Sequence, residues 1–502
     1  MADKAHDDAE KGGYVDVAVN EEQQQRPQPI AQPKRIGFIQ RWTPTALLLS
    51  YFVFSIAFYT VLDDYSCKVF WFLYLAIGTI VAGTTCLEAY DGLTPLREAR
   101  KAVAKAESDG WKFKTADEEL PVLNLIFDLR SGDIAESFRE IIHLLRGFTY
   151  PSSKVVINLL RTGYDLPACD YINNDISCVS RIITIPEYAS ASLSARVTYC
   201  LAVDAPSSAT SISAVFSGNE RPHPHAIRQA VERLVQDQKV DVVQGRTVMV
   251  SHGGFIGMLA SLQQDMFSAL LMPGRSITWS LTYPGDSNTY WRTDSLRAAA
   301  TASAVVSSDG KDLGFTALAR KVKAAYDLKV IAYVAPPGGF TSFWHANTSW
   351  ARQCSMATTR YTGLAFKGLF KGLFKRHKGE QADASTKWTL KSRFAVLWTL
   401  PIMRIVSHAI VQYFCMAWAI LFVDTPSSTA DFARTIYFPY PISIWLIVGG
   451  LICLIGTVGM LYKSRSEFVP LWTLPFAFVF YPLLLVCNAL VDLYGQADAL
   501  VR

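Results

Sequence analysis

The chain has 502 residues, half of them hydrophobic, and a formal net charge of +5. That length holds one sizeable folded domain with membrane spans besides. The mild positive charge gathers beside apolar runs and is not interleaved with aromatics, which argues against nucleic acid as a partner and for membrane lipids.

Residues 1–36 are acidic and then Gln/Pro-rich (Gln23-Gln24-Gln25, Pro27, Pro29, Pro33), a composition predicted to be disordered and unlike a signal peptide. Two apolar runs follow, 46–62 and 69–90, each near the roughly 20 residues that cross a bilayer. The nine cysteines show no C-x-x-C spacing, so a zinc site and a disulfide framework are both disfavoured and a reducing, cytosolic setting fits.

The central region alternates strand and helix. Residues 121–127 (PVLNLIF) are predicted as a strand, 133–148 as an amphipathic helix, and 154–160 and 181–186 as further strands. A short strand at 214–216 ends in the polar turn 217–221. Pro222 and Pro224 are then predicted to open a helix, and a strand at 240–243 runs into Gln244-Gly245-Arg246. Such alternation predicts an α/β fold: a mostly parallel sheet with helices on both faces, its ligands at the carboxyl ends of the strands. Further on come the polar segment Asp286–Arg292, the run VVSSD ending at Asp309, and FWHANTSW ending at Trp350.

Residues 366–375 repeat Phe-Lys-Gly-Leu. At 100° per residue Phe366, Phe370 and Phe374 form one stripe flanked by lysines, which reads as an in-plane helix at the membrane or as a core-facing helix with a solvated edge. Residues 393–404 are apolar but contain Pro401 and end at Arg404, so they are predicted to lie in the interface before a span at 408–423. Two more spans are predicted at 438–462 and 469–493. Basic residues flank the runs at Lys34, Arg35 and Arg41, at Arg97–Lys105, at Lys387–Arg393, and at Lys463 and Arg465, while the opposite loops carry Asp63, Asp64, Asp424 and Asp431. By the positive-inside rule this is a multi-pass protein with a cytosolic N-terminus and a cytosolic centre. The expected division is a tail at 1–36, two transmembrane helices at 37–94, a cytosolic domain at 95–361, interfacial helices at 362–406 and three transmembrane helices at 407–502.

The frame of residues 214–246, with the Ser287-Asn288 segment, resembles membrane-bound family 2 glycosyltransferases of the polysaccharide-synthase type, fungal relatives included. The resemblance covers roughly 120–361 and the flanking spans. It implies a nucleotide-diphospho-sugar transferase-like fold, a nucleotide sugar as co-substrate and a lipid-like or glycan acceptor. In that family an Asp-x-Asp turn holds a divalent cation, Mn or Mg. Here the slots read Ser217-Gly218-Asn219, leaving Asn219 and Glu220 as displaced oxygen ligands.

Asp133 falls near the family's Asn-Glu pair, though it also reads as a helix N-cap. Arg161 stands where an acid normally meets the uracil ring, and Arg196 lies one turn past the position of the family's Lys, where this chain has Leu193. Ser287 and Asn288 match the Gly-Ser-Asn segment beside the donor sugar. In a gapless alignment Asp309 lands on the catalytic base, while a one-residue shift puts Gly310 there. Of the Gln-x-x-Arg-Trp segment Trp350 is kept, and Trp350 and Trp291 are the expected acceptor contacts. Without the cation, Arg161, Arg196, Arg246 and Arg275 are the candidate partners of the diphosphate. The same departures also fit an inactive scaffold or regulator of another synthase subunit.

Overall fold

A computed structural model describes residues 38–129, 141, 147–162, 179–185, 192–204, 211–250, 254–306, 313–374, 390–422 and 427–501. The tail at 1–36, Asp133 with most of its predicted helix, and Asp309 lie outside the described residues. The helices are α1 (Phe38–Val61), α2 (Asp64–Ser108), α3 (Leu193–Asp204), α4 (Ala226–Gln236), α5 (Gly254–Thr278), α6 (Thr293–Val306), α7 (Leu313–Ala319), α8 (Phe340–Phe374), α9 (Lys391–Phe422), α10 (Thr429–Ile436), α11 (Ile442–Ser464) and α12 (Thr473–Val501).

The strands are β1 (Leu123–Leu129), β2 (Val155–Thr162), β3 (Val179–Ile185), β4 (Ile212–Ser217), β5 (Glu220–Pro222), β6 (Val242–Met249), β7 (Thr289–Arg292) and β8 (Ala324–Val334). They form one sheet in the order β3-β2-β1-β4-β7-β6-β8-β5. Pairing is parallel through β3-β2-β1-β4 and between β6 and β8, with β7 and β5 antiparallel to their neighbours. The chain therefore has the mixed α/β fold expected, with a mostly parallel sheet.

Strand alternation sorts the apolar side chains into two cores. From β1, Leu123, Leu125 and Phe127 pack with Ile227, Val231 and Leu234 of α4 on one face. Ile126 joins Val197 of α3, Leu296 of α6 and Leu313 of α7 on the other. A central strand covered on both faces is apolar nearly throughout, which is why LNLIFDL carries little period-two signal. Its buried Asn124 is answered across the sheet by Asn158, whose Nδ2 donates to Asn124 Oδ1 at 2.5 Å.

Two local expectations meet a different outcome. Pro222 and Pro224 do not open the helix. Glu220–Pro222 pairs with β8 at the sheet edge, where a strand accommodates proline, and α4 begins at Ala226. Pro401 does not end its segment either. The helix passes through it by a π-helical stretch at Trp398–Ile402, which absorbs the lost N–H, and runs on to Phe422. Residues 366–374 are helical, as expected, and form the end of the long helix α8.

Six helical segments among the described residues are long and apolar enough to cross a membrane, one more than the sequence suggested. The extra one, α5, lies mostly buried between the sheet and α2. Two glycines allow this: a Cβ on Gly274 would stand 1.7 Å from Glu88 O, and one on Gly92 2.1 Å from Leu270 O, so the two backbones touch directly. Glu88, itself buried in α2, clamps the contact by accepting from Arg275 Nε and Trp279 Nε1, each at 2.8 Å. α8 in turn is bolted to α12. Gly495 lies against Ala351, and Arg352 pairs with Asp498 at 3.0 Å.

Candidate active site

The carboxyl ends of β1 and β4 meet side by side, Asp128 in register with Ser217. The Gly218 N–H donates to Asp128 O at 3.0 Å, and a Cβ on Gly218 would stand 2.7 Å from the Leu129 side chain. A side chain there would have to displace the end of Leu129. In the turn that follows, Ser217 Oγ donates to Asn219 Oδ1 at 2.9 Å, and Asn219 is exposed.

Glu220 turns the other way, into the sheet. Its carboxylate accepts from Ser287 Oγ at 2.8 Å, from the Ser217 N–H at 3.2 Å and from Thr247 Oγ1 at 3.5 Å. Burial pushes its pKa up to about 7 against these donors, which favour the charged form. Glu220 and Asn219 thus do not offer a clustered oxygen set. Among the described residues no group of three His, Cys, Asp or Glu side chains is placed to hold a metal ion. These residues do not fit a divalent-cation clamp. His223 and His225 pack instead against Trp111, the His225 ring stacked on it at 4.1 Å, and burial lowers both histidine pKa values.

The two short motifs Gln244-Gly245-Arg246 and Ser287-Asn288 dock on one another. Gln244 Nε2 donates to Ser287 O at 3.2 Å and to Asn288 O at 3.3 Å, while its Oε1 accepts from the Gly285 N–H at 2.5 Å. Asn288, at φ +51°, lays its side chain across Gly245 and donates to Arg246 O at 3.0 Å. A Cβ on Gly245 would stand 2.4 Å from Asn288 Nδ2, so the middle residue of the first motif is glycine because the second occupies its side-chain space.

Above this junction lies a cavity of about 180 Å³. Gln244, Thr247 and the 283–287 loop form one wall, Phe267 and Ser268 of α5 a second, Gly314 and Phe315 of α7 a third, and Trp350, Gln353 and Cys354 of α8 the roof. It is smaller than the roughly 300–1,000 Å³ of drug-sized sites. Tyr283, on its wall, has its pKa pushed up to about 12 by burial and remains a hydroxyl donor. Trp350 is 43% exposed, stands edge-on to Phe267, and has the Arg404 guanidinium 5.9 Å from its ring.

The expected site residues are therefore divided. Ser287 and Trp350 come together on this cavity, and Asn288 supports it from below. Trp291 is fully buried in the second core and has no surface to offer an acceptor. Three of the four candidate arginines are held in buried ion pairs: Arg196 bidentate with Asp128 at 2.6 and 2.7 Å, Arg246 with Asp265 at 2.8 Å, and Arg275 with Glu88 at 2.8 Å. Arg161 is half-buried at the end of β2, in register with Leu129. Gln244 and Gln353 were not singled out from the sequence. The Gln-Gly-Arg triplet after an apolar strand was the available signal for the first, and nothing local marked the second.

No protein-family model matches the chain, and no curated protein matches it in sequence. Among solved structures it is similar to the mannosyltransferase PcManGT from Pyrobaculum calidifontis in complex with GDP-Man and Mn2+, at 12% identity and a TM-score of 0.43, over 78% of this chain and 100% of that one. It is also similar to S. aureus TarS 1-349 in complex with UDP-GlcNAc, at 11% identity and a TM-score of 0.32, over 75% of this chain and 90% of that one.

Proposed function

We propose that this protein is a membrane-bound glycosyltransferase that moves a sugar from a nucleotide sugar to a lipid-like or glycan acceptor at the cytosolic face of a bilayer. One observation carries the reading. Two segments far apart in the chain that resemble the donor and acceptor parts of a family 2 glycosyltransferase converge on one cavity, through Ser287 and Trp350. The cavity lies where α8 joins the apolar helix α12, so an acceptor held in the membrane has a short approach.

In this reading Ser287, Gln244 and Trp350 hold the transferred sugar. Asp309 takes the proton of the acceptor hydroxyl as that oxygen bonds to the anomeric carbon. The bond from that carbon to the nucleotide diphosphate breaks, and the diphosphate departs with the electron pair. Arg161, at the end of β2, is a candidate cation for it.

A second reading, an inactive scaffold or regulator of another synthase subunit, is favoured by those same ion pairs. Arginines neutralised by Asp128, Asp265 and Glu88 lend little charge to a leaving diphosphate. Turnover separates the two. With full-length protein in nanodiscs and a panel of UDP- and GDP-sugars, the enzyme reading predicts nucleotide release that falls at least a hundredfold in Asp309→Ala. No binding of any nucleotide sugar at millimolar concentration leaves the scaffold standing, and turnover unchanged in Asp309→Ala refutes the assignment of the base.

A further inference from the structure

Thr247 borders the cavity beneath Trp350, and its neighbours in β6, Arg246 and Val248, line a second and larger cleft of about 520 Å³. Its walls are the stretch of α2 from Leu96 to Glu107, β8 at Ile331 and Tyr333, and the turn 462–468 between α11 and α12. Four cations border it, Arg100, Arg246, Lys463 and Arg465, against two carboxylates, Glu107 and Glu467. A third carboxylate, Asp265, lies behind Arg246 and is already taken, by Arg246 Nη2 at 2.8 Å and by the Ser466 N–H at 2.7 Å.

The cations are fixed in place by backbone. Arg100 donates to Lys463 O at 2.6 Å, Ser464 O at 2.9 Å and Arg465 O at 2.8 Å, the carbonyls that end α11, and it has no ion pair among the described residues. Arg246 Nη2 reaches Ser464 O at 3.2 Å, and Arg465 Nη1 donates to Val469 O at 2.8 Å. Three donors of this wall are nonetheless left over. Arg246 Nε, Arg465 Nε and Ser466 Oγ are all buried and have no hydrogen-bond partner among the described residues, and Arg246 and Ser466 are themselves only 5% and 7% exposed.

A buried donor without an acceptor is costly, and native proteins leave few of them. Three such donors on residues that line one cleft, beside the cations Arg100, Lys463 and Arg465, suit a ligand rich in acceptor oxygens and negatively charged. We propose that this cleft binds a phosphate group. It opens at the end of the apolar helix α11, beside the exposed Tyr462 and Lys463, so the group is within reach as a phospholipid headgroup or as a soluble phosphate compound. The site is separate from the cavity assigned to sugar transfer and does not depend on that reading. Its one link is Arg246, which lines the cleft and whose carbonyl accepts from Asn288.

The test uses full-length protein in detergent, with thermal unfolding followed by tryptophan fluorescence. Inorganic phosphate is compared with chloride at equal ionic strength, and a short-chain phosphatidic acid with the diacylglycerol of the same chains. At least one phosphate probe is expected to raise the unfolding midpoint by several degrees over its control. A response to the lipid alone assigns the headgroup, and a response to both assigns the phosphate group irrespective of its source. Arg465→Gln combined with Ser466→Ala, which leaves the Arg246–Asp265 pair intact, should weaken binding at least tenfold. Glu467→Gln, an exposed change on the same wall, should tighten it at least twofold. The proposal is overturned if neither probe shifts the midpoint, if the double variant responds like the parent, or, should that variant not fold, if Glu467→Gln leaves binding unchanged.

Discussion

In the sheet domain each buried arginine of the site reaches one carboxylate on a distant element, whereas inside the helical bundle buried polar groups are joined into a chain. Arg196 finds Asp128, Arg246 finds Asp265 and Arg275 finds Glu88, three separate rivets between strand and helix or helix and helix. In the bundle Arg404 pairs with Asp492, which accepts from Gln496, and Gln496 meets His408, whose other ring nitrogen meets Tyr51. One turn further along, Gln412 bridges Ser55 and Tyr59, and Tyr59 meets Tyr74. The difference follows from the surroundings. A sheet edge can bury a charge wherever a helix supplies its counter-ion, but a polar group among apolar helices has to be satisfied by its nearest neighbours, turn after turn.

The sharpest way to break this comparison is to remove a counter-ion. Asp265→Ala leaves Arg246 charged and buried, and leaves the Ser466 N–H unanswered. It should cost about 3–5 kcal/mol of stability, read from the unfolding midpoint in denaturant. A loss under 1 kcal/mol would mean that the arginine is free to find another partner, including a ligand.

Glu220 sharpens the contrast from the other side, since it is buried without an ion pair among the described residues. Its folded-state pKa of about 7 lies above the ordinary 4.5, so the folded protein holds the proton more tightly than the unfolded chain does. The associated stability is fully present below about pH 4.5, is lost as pH rises toward 7, and is level above that. The stability of the parent relative to Glu220→Gln should therefore fall by roughly 3 kcal/mol across that window. A difference independent of pH would show that the carboxylate is solvated.

The smallest effect is expected in the chain. Gln412→Leu removes two hydrogen bonds between neutral groups and should cost only about 1 kcal/mol, because packed apolar helices re-pair such groups among themselves. Thermal unfolding in the same detergent measures it, and a loss as large as that of Asp265→Ala would erase the distinction.

Much of this arrangement was readable along the chain. Apolar runs bounded by polar turns marked β1, β2, β3 and β4 to within two or three residues, since a strand buried on both faces needs an unbroken apolar stretch. Arg404, His408 and Gln412 recur every four residues, as do Tyr51, Ser55 and Tyr59, so each trio occupies one face of its helix and the two faces meet. The antiparallel insertion of β7 and β5 was not readable, because a four-residue and a three-residue strand carry no pattern of their own. Nor was the burial of α5, an apolar helix that packs on α2 through Gly92 and Gly274.

Local composition and period alone determined that this chain has apolar helices at both ends, a parallel-rich sheet between them, and polar turns where the strands stop. Only the folded arrangement decided which polar residues are at liberty to act. Arg196, Arg246 and Arg275 look alike in sequence as cations near a ligand, yet their counter-charges stand 68, 19 and 187 positions away. Ion pairing depends on distance in space, and no short-range pattern encodes a distance closed by the whole fold. The same convergence brings Ser287, Gly314 and Trp350 around one cavity.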